Sequence, residues 1–125
     1  MTVKITKTQE NTVWFSSEYG MGKGFCKDEF MQAGQEYLVE FEIGDTLTTN
    51  GIIVSEEEKC KSEIVGNVTE LTMKLIDYED DGCASFAFGD SVVLIETKYD
   101  ERFLQLIDRY LTFKTEKIYL YPFEV

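Results

Sequence analysis

Alternating hydrophobic and polar residues along the chain predict a protein built mainly of β-strands. Over residues 36–43, Tyr37, Val39, Phe41 and Ile43 alternate with polar or charged residues at most of the intervening positions. This two-residue period is typical of a half-buried strand. Similar patterns, repeated between residues 3 and 121, predict a small antiparallel β-barrel or sandwich of about seven to eight strands.

Short turn signals between these segments favour an antiparallel meander. Asn50-Gly51 predicts a hairpin between 36–43 and 52–54, because both turn residues tolerate a positive φ angle. Further turns are predicted at Gly66-Asn67, Asp81-Gly82 and Gly89-Asp90, between strands at 62–65, 68–76, 83–88 and 92–96. An additional strand pair is expected from 3–5 and 12–15.

One segment departs from the strand period and predicts a helix near 100–111. Its apolar residues recur at helical spacing, and Asp100 is suited to cap its first turn. A last strand is predicted over 112–121, with a bulge between Phe113 and Ile118. The fold class is therefore mainly β with one helix (β+α), and the helix packs over an opening. The segment 25–33 is open between a short helix and irregular structure.

Length and composition predict one acidic β domain over residues 1–125. Hydrophobic residues make up 43% of the chain and aromatic residues 14%, enough for a packed core. The longest aliphatic run, residues 92–95, is far shorter than the ~20 residues that span a bilayer. No signal-peptide pattern is visible, and the three cysteines are an odd, widely spaced set. We therefore expect a cytoplasmic protein.

Charge narrows the class of partner. The formal net charge is −12, and residues 28–101 hold 19 acidic and 4 basic residues. A field of this sign repels nucleic acid and anionic membranes and attracts basic protein surfaces. We expect a basic protein partner, with no direct nucleic acid and no membrane as binding partners. The opposing interpretation is that the charge serves solubility alone.

Most catalytic and cofactor chemistry lacks its residues in this chain. There is no histidine, which removes Ser-His-Asp and Cys-His systems and nearly all catalytic zinc sites. Cys26 lies beside Lys27, which could lower a thiol pKa, but no general base is identifiable. We therefore expect no enzyme activity, no catalytic residues and no cofactor.

Two motifs resemble ligand-binding loops and fail in detail. Residues 20–24 are rich in glycine, but Ser17 and Gly24 break the phosphate-loop pattern, so a flexible loop is predicted. The run 77–82 resembles the start of a calcium loop, yet its twelfth position is Phe88 instead of glutamate. No metal site is expected.

Acidic residues next to tyrosines are the remaining candidates for recognition. Carboxylates steer a basic partner and accept charge-assisted hydrogen bonds, while a tyrosine ring supplies contact area. The predicted partner-binding residues are Asp77, Tyr78, Glu79, Asp80, Asp81, Tyr99, Asp100, Glu101, Glu56, Glu57 and Glu58.

The chain is a small, acidic β protein. Three segments carry this character most clearly: YLVEFEI (37–43), LIDYEDDG (75–82) and GDSVVLIETKYDE (89–101). The chain resembles immunity proteins of bacterial contact-dependent-inhibition and polymorphic-toxin systems, which act in bacterial competition. The resemblance implies a cytoplasmic inhibitor that binds a cognate toxin domain, often a basic nuclease, and occludes its active site.

Other functions stay open at this point. One alternative is a nucleic-acid mimic that inhibits a different DNA- or RNA-binding protein. Another is a small-ligand-binding β-barrel that holds an apolar molecule beneath the segment 103–111. A partner could also bind by adding a strand to a sheet edge instead of contacting the acidic loops.

Overall fold

The computed structural model describes residues 1–26 and 31–123, and strands dominate this part of the chain. The prediction of a mainly β fold is confirmed. Eleven strands are present there: β1 (Thr2–Gln9), β2 (Thr12–Ser17), β3 (Gly20–Phe25), β4 (Glu36–Ile43), β5 (Ile53–Val54), β6 (Lys61–Val65), β7 (Val68–Tyr78), β8 (Cys83–Phe88), β9 (Ser91–Glu96), β10 (Tyr110–Thr115) and β11 (Ile118–Pro122). Two short 3-10 helices cover Thr49–Gly51 and Glu101–Leu106.

Five strands close into a barrel. Around the ring, β1 pairs with β2, β2 with β3, β3 with β11, β11 with β4, and β4 returns to β1. The β3–β11 pairing is parallel through Tyr119 and Phe25, whereas the other four are antiparallel. Closure leaves the five strands without the long unpaired edges of an open sheet.

The other six strands, which lie between β4 and β11 in the sequence, form an outer layer. Strand β7 is its centre, with β10 on one side and β6 and then β8 on the other. Strand β5 extends the layer beyond β10, and β9 extends it beyond β8. Strand β9 pairs with no strand but β8 among the described residues, so it forms an edge of the sheet.

The glycine-rich segment 20–24 is a barrel strand, and the prediction of a flexible loop there was wrong. Gly22 and Gly24 point into the barrel, where a side chain on Gly22 would overlap the buried Phe15 ring. A side chain on Gly24 would likewise collide with Leu120 and with the main chain of Ile118. The glycines therefore let large neighbouring side chains fill a narrow interior.

Aromatic side chains connect the barrel core with the core of the outer layer. Phe15 and Phe41 meet at 5.5 Å between ring centroids, and Phe41 meets Phe88 of β8 at 6.3 Å. Phe86 and Phe113 continue the contact through the outer layer at 6.0 Å. The buried hydrophobic residues thus form one continuous core.

The predicted helix near 100–111 was wrong beyond its first turns. After the 3-10 helix, Ile107 takes an extended conformation and Asp108 a φ of 71°. Residues from Tyr110 onward then pair with β7 as β10. The apolar spacing of 103–111 combines one buried helical residue, Phe103, with the inward positions of a strand, so tertiary pairing overrides the local helical period.

The strand count and one hairpin also differ from the predictions. Asn50-Gly51 lies in a 3-10 helix, because the strand before it pairs within the barrel while β5 pairs with β10. The predicted strand 112–121 is two strands, β10 and β11, in different layers, instead of one strand with a bulge. The turns at Gly66-Asn67, Asp81-Gly82 and Gly89-Asp90 are confirmed.

One predicted segment lies partly outside the described residues, and membrane-spanning helices were sought only within them. Of the undecided segment 25–33, residues 27–30 lie outside them. No helix in the described ranges is long and apolar enough to cross a membrane.

Candidate functional site

Two of the predicted acidic segments come together at one end of the outer layer. Residues 77–81 form the end of β7 and the turn to β8, and residues 99–101 lead into the second 3-10 helix, which begins at Glu101. Thr97, two residues before Tyr99, donates its N–H to Gly82 O at 2.9 Å. We call this surface the acidic tip and define it as Asp77, Glu79, Asp80, Asp81, Tyr99, Asp100 and Glu101.

A chain of hydrogen bonds fixes the two segments to each other. Asp100 N–H donates to the Tyr78 hydroxyl at 3.0 Å, and the Thr97 hydroxyl donates to Gly82 O at 2.7 Å. The Tyr78 and Thr97 hydroxyls are 2.8 Å apart. Because the Thr97 proton is committed to Gly82, Tyr78 must be the donor to Thr97. The hydrogen bonds therefore run in one direction across the tip: Asp100 donates to Tyr78, Tyr78 to Thr97, and Thr97 to Gly82.

Tyr78 is a core residue, which corrects the prediction that its ring contacts a partner. Its side chain is only 6% exposed and stacks on Phe103 at 4.9 Å between ring centroids. The Tyr78 ring also stacks on the Tyr99 ring, at 5.6 Å between centroids. A tyrosine ring shields apolar neighbours while its hydroxyl bonds at the margin, so Tyr78 supports the tip from beneath. Tyr99 is 49% exposed and is the tyrosine available at the surface.

Four carboxylates of the tip carry their charge without a neutralising partner. Asp77, Glu79, Asp80 and Asp81 are exposed, and none of them takes part in the ion pairs of the described residues, which are Glu57–Lys59, Glu63–Lys61 and, within the tip, Asp100–Arg102.

Their field acts on Cys83, the residue after the turn. Burial raises the pKa of the Cys83 thiol, and Asp81, Glu79, Glu96 and Asp77 raise it further. Three carboxylates of the tip, Asp77, Glu79 and Asp81, therefore act together with Glu96 on one place. A thiol with a raised pKa is also a poor nucleophile at neutral pH.

Asp100 differs from the other carboxylates of the tip because it is engaged within the protein. Arg102 donates to it through Nε and Nη2, the latter at 2.6 Å, and Thr49 donates at 3.2 Å. The Arg102 guanidinium and the Arg102 main-chain N–H lower the Asp100 pKa from its ordinary 3.8 to about 2. Asp100 caps the 3-10 helix and positions Glu101, which is exposed.

Glu56, Glu57 and Glu58 lie in a separate loop between β5 and β6. The loop is fixed at its start by Ser55 N–H donating to Tyr110 O, and at its end by Cys60 Sγ donating to Ala87 O. Tyr110 and Ala87 both pair with Lys74, in the middle of β7. The structure therefore anchors this loop away from the acidic tip, and Glu57 is paired with Lys59 at 3.1 Å.

Possible metal ligands and the three cysteines are spread apart in the described part of the chain. They contain no group of three or more His, Cys, Asp or Glu side chains placed to hold a metal ion. Cys26 is buried, and Lys27, its predicted pKa-lowering neighbour, lies outside the described residues. Cys26, Cys60 and Cys83 form no disulfide.

The apolar cavity between the barrel and the outer layer is too small, among the described residues, for the ligand of the barrel alternative. The apolar cavity between barrel and outer layer, lined by Phe15, Phe41 and Phe88 among others, measures about 10 Å³. Ligand pockets usually measure roughly 300–1,000 Å³. Phe103, beneath which the ligand was expected, is fully buried against Tyr78.

A surface trough that sequence analysis missed runs along the outer edge of β9. It measures about 590 Å³ where Val92 and Leu94 face Glu40 and Tyr121, and a second groove of about 480 Å³ continues it past Leu94. Val92 is 61% exposed and Leu94 60%. The signal was the run Val92-Val93-Leu94-Ile95, whose two apolar faces indicate a strand that buries one face and exposes the other to a partner.

Comparisons with known proteins add no identity to this geometry. A scan of protein families, a search of curated proteins and a search of solved structures find no match for the chain.

Proposed function

We propose that this chain is an immunity-type inhibitor, without catalytic turnover, that binds and neutralises a basic, nuclease-like toxin domain in the cytoplasm. Its carboxylates take the positions that nucleic-acid phosphates occupy on the toxin, and the bound protein occludes the active site. The observation that carries the proposal is the acidic tip, where exposed carboxylates without ion pairs are held on a rigid support.

Rigidity and charge both favour tight binding to a basic surface. The Tyr78–Thr97–Gly82 hydrogen bonds and the stacked rings fix the tip before any partner arrives. Binding therefore costs little ordering of the main chain. Unneutralised carboxylates can form charge-assisted hydrogen bonds with Arg and Lys, which are about twice as strong as neutral ones.

The decisive experiment measures inhibition of a nuclease domain encoded beside the gene. Wild-type protein is expected to abolish DNA or RNA cleavage at one equivalent and to form a 1:1 complex in size-exclusion chromatography with light scattering. The variant D77N/E79Q/D80N/D81N, which keeps side-chain shape and removes four charges, is expected to lose affinity at least about tenfold.

A matched control removes the same charge elsewhere. E36Q/E63Q/E70Q/E116Q changes four glutamates that lie away from the tip, three of them at the opposite end of β7 or beside it. This control is expected to retain inhibition within about threefold, because charges far from the tip are screened by salt. Equal losses in the two variants would show that net charge, and not the acidic tip, accounts for binding.

A further inference from the structure

The outer edge of β9 has no main-chain partner among the described residues at Val92 and Leu94, although it is bonded at Glu96. Thr97 N–H donates to Gly82 O on the β8 side, while Glu96 O accepts from Leu47 N–H on the opposite side, at 2.9 Å. Main-chain groups of successive strand residues point to opposite edges. Val92 and Leu94, in phase with Glu96, therefore direct their N–H and C=O groups away from β8, and no described residue bonds to them there.

The barrel side of the trough presents a second set of main-chain groups that have no main-chain partner in the described part of the chain. On β4, Val39 N–H binds Met1 O, whereas Gly44 N–H binds Lys117 O beside β11. By the same alternation, the main-chain N–H and C=O groups of Phe41 and Ile43 point toward β9 and away from β11. Strands β4 and β9 lie close to each other along the trough, and beyond its end Leu47 pairs with Thr97.

Side chains around the trough combine apolar surface with negative charge. Exposed Val92 and Leu94 form one bank, and Glu40 and Glu42 of β4 form the other. Asp45, Asp90 and Glu96 also line the two grooves, and no lysine or arginine is among their described lining residues.

We infer that this trough binds an extended, basic segment of the partner, which adds to β9 as a further strand. Its main chain pairs with Val92 and Leu94. Its lysine or arginine side chains, at alternate positions, lay their aliphatic parts on these two residues and reach Glu40 and Glu42 with their charges. The inference rests on the proposed function and specifies which partner segment docks there.

A second copy of this chain is a poor occupant of the same edge. Two β9 strands paired antiparallel about a two-fold axis near Val93 would place Asp90 of each copy opposite Glu96 of the other, with the glutamates of β4 nearby. Like charges facing each other across a strand pair are destabilising. Charge complementarity therefore selects a basic partner over self-association.

The first test uses a synthetic seven-residue peptide that alternates lysine and valine, with the full-length protein labelled for NMR. The peptide is expected to slow hydrogen exchange of the Val92 and Leu94 amides at least about tenfold, because these amides become hydrogen-bonded. The same peptide with glutamate in place of lysine is the control and is expected to give no protection. Unchanged exchange at both amides, or equal protection by the glutamate peptide, would overturn the inference.

The second test changes the edge itself. V92P removes an N–H that points away from β8, and proline is tolerated at such edge positions. V92T keeps the N–H and the branched side chain and serves as the matched control. V92P is expected to weaken peptide binding at least about tenfold while V92T changes it less than about threefold. Should V92P fold poorly by circular dichroism, L94K takes its place, because its charge repels a basic strand.

The nuclease complex separates this inference from the proposed function. If V92P and L94K inhibit the nuclease as wild type does, the edge is not the docking site, and the inhibitor proposal stands on the acidic tip. If wild type inhibits no nuclease while the lysine peptide still protects Val92 and Leu94, the inhibitor proposal fails and strand addition remains. A wild-type dimer in sedimentation that V92P abolishes, without peptide protection, would assign the edge to self-association instead.

Discussion

At the residue scale, Tyr78 shows how a side chain can be correctly noticed and wrongly interpreted. Its position among four acidic residues indicated a surface contact, but its ring packs on Phe103 and its hydroxyl lies between Asp100 and Thr97. The surrounding carboxylates occupy the turn and the opposite strand face, so their charge carried no information on the direction of this one side chain.

Replacing Tyr78 by phenylalanine is expected to lower the free energy of unfolding by about 1–3 kcal/mol, because the Asp100 N–H and Thr97 Oγ1 lose a buried partner. Urea denaturation followed by tryptophan fluorescence measures this change. Y99F is the control, since Tyr99 is half exposed, and it should change stability by less than about 0.5 kcal/mol. Equal effects of the two variants would contradict the assigned hydrogen-bond chain.

Asp100 predicts a dependence of stability on acid pH. Its folded-state pKa of about 2 lies below the ordinary 3.8, mainly because Arg102 donates hydrogen bonds to it. The unfolded chain therefore takes up this proton first as the pH falls, so the contribution of Asp100 is present above about pH 4 and is lost toward pH 2. We expect D100N to flatten the fall in thermal stability between pH 4 and pH 2.

The control for this pH dependence is E101Q, which removes the neighbouring carboxylate and leaves the Asp100–Arg102 pair in place. Its stability should follow the wild-type pH profile. A D100N profile parallel to that of wild type would refute the role of the Arg102 pair.

At the scale of elements, β3 is the clearest case of a strand that local propensity opposes. Glycine is depleted in strands, yet Gly22 and Gly24 lie where Phe15 and Leu120 already fill the barrel. The strand is held by its pairing with β2 along six residues and by its closure onto β11. Packing inside a five-stranded ring therefore determines this element, and the local sequence does not.

Gly22→Ala is expected to destabilise the protein by about 1–3 kcal/mol, because the added methyl group overlaps the buried Phe15 ring in a filled interior. Thermal or urea unfolding measures the effect. Gly51→Ala is the matched control, since a methyl group there meets no atom within 4 Å, and its effect should stay within about 0.5 kcal/mol. A tolerated Gly22→Ala would show that the barrel interior has room that the packing does not indicate.

At the scale of the whole molecule, the acidic tip and the β9 trough give the charge excess two defined places. The tip offers carboxylates without ion pairs, and the trough joins carboxylates to exposed apolar residues and a free strand edge. Long-range attraction and short-range strand pairing can therefore be carried by different surfaces of one protein.

This separation predicts different salt responses for the two surfaces. The association rate of wild type with the proposed basic partner should fall with ionic strength, since electrostatic steering contributes ~10–1,000-fold at low salt. In stopped-flow measurements, D77N/E79Q/D80N/D81N should show a weaker salt dependence of association, whereas V92P should keep the wild-type dependence and dissociate faster. Identical salt dependence in wild type and the four-charge variant would argue against steering by the tip.

The sequence by itself determined the β class, three of the turns, the acidic segments and the absence of histidine chemistry. These features depend on alternation, on glycine at turns and on composition, all of which act over a few neighbouring residues. Tertiary structure alone decided that 20–25 is a strand, that residues 110 and 111 belong to a strand and not to a helix, that Tyr78 is buried and that β9 has an open edge. Each of these depends on pairing or packing between residues far apart in the chain, whose free energy exceeds the local preferences that a sequence displays.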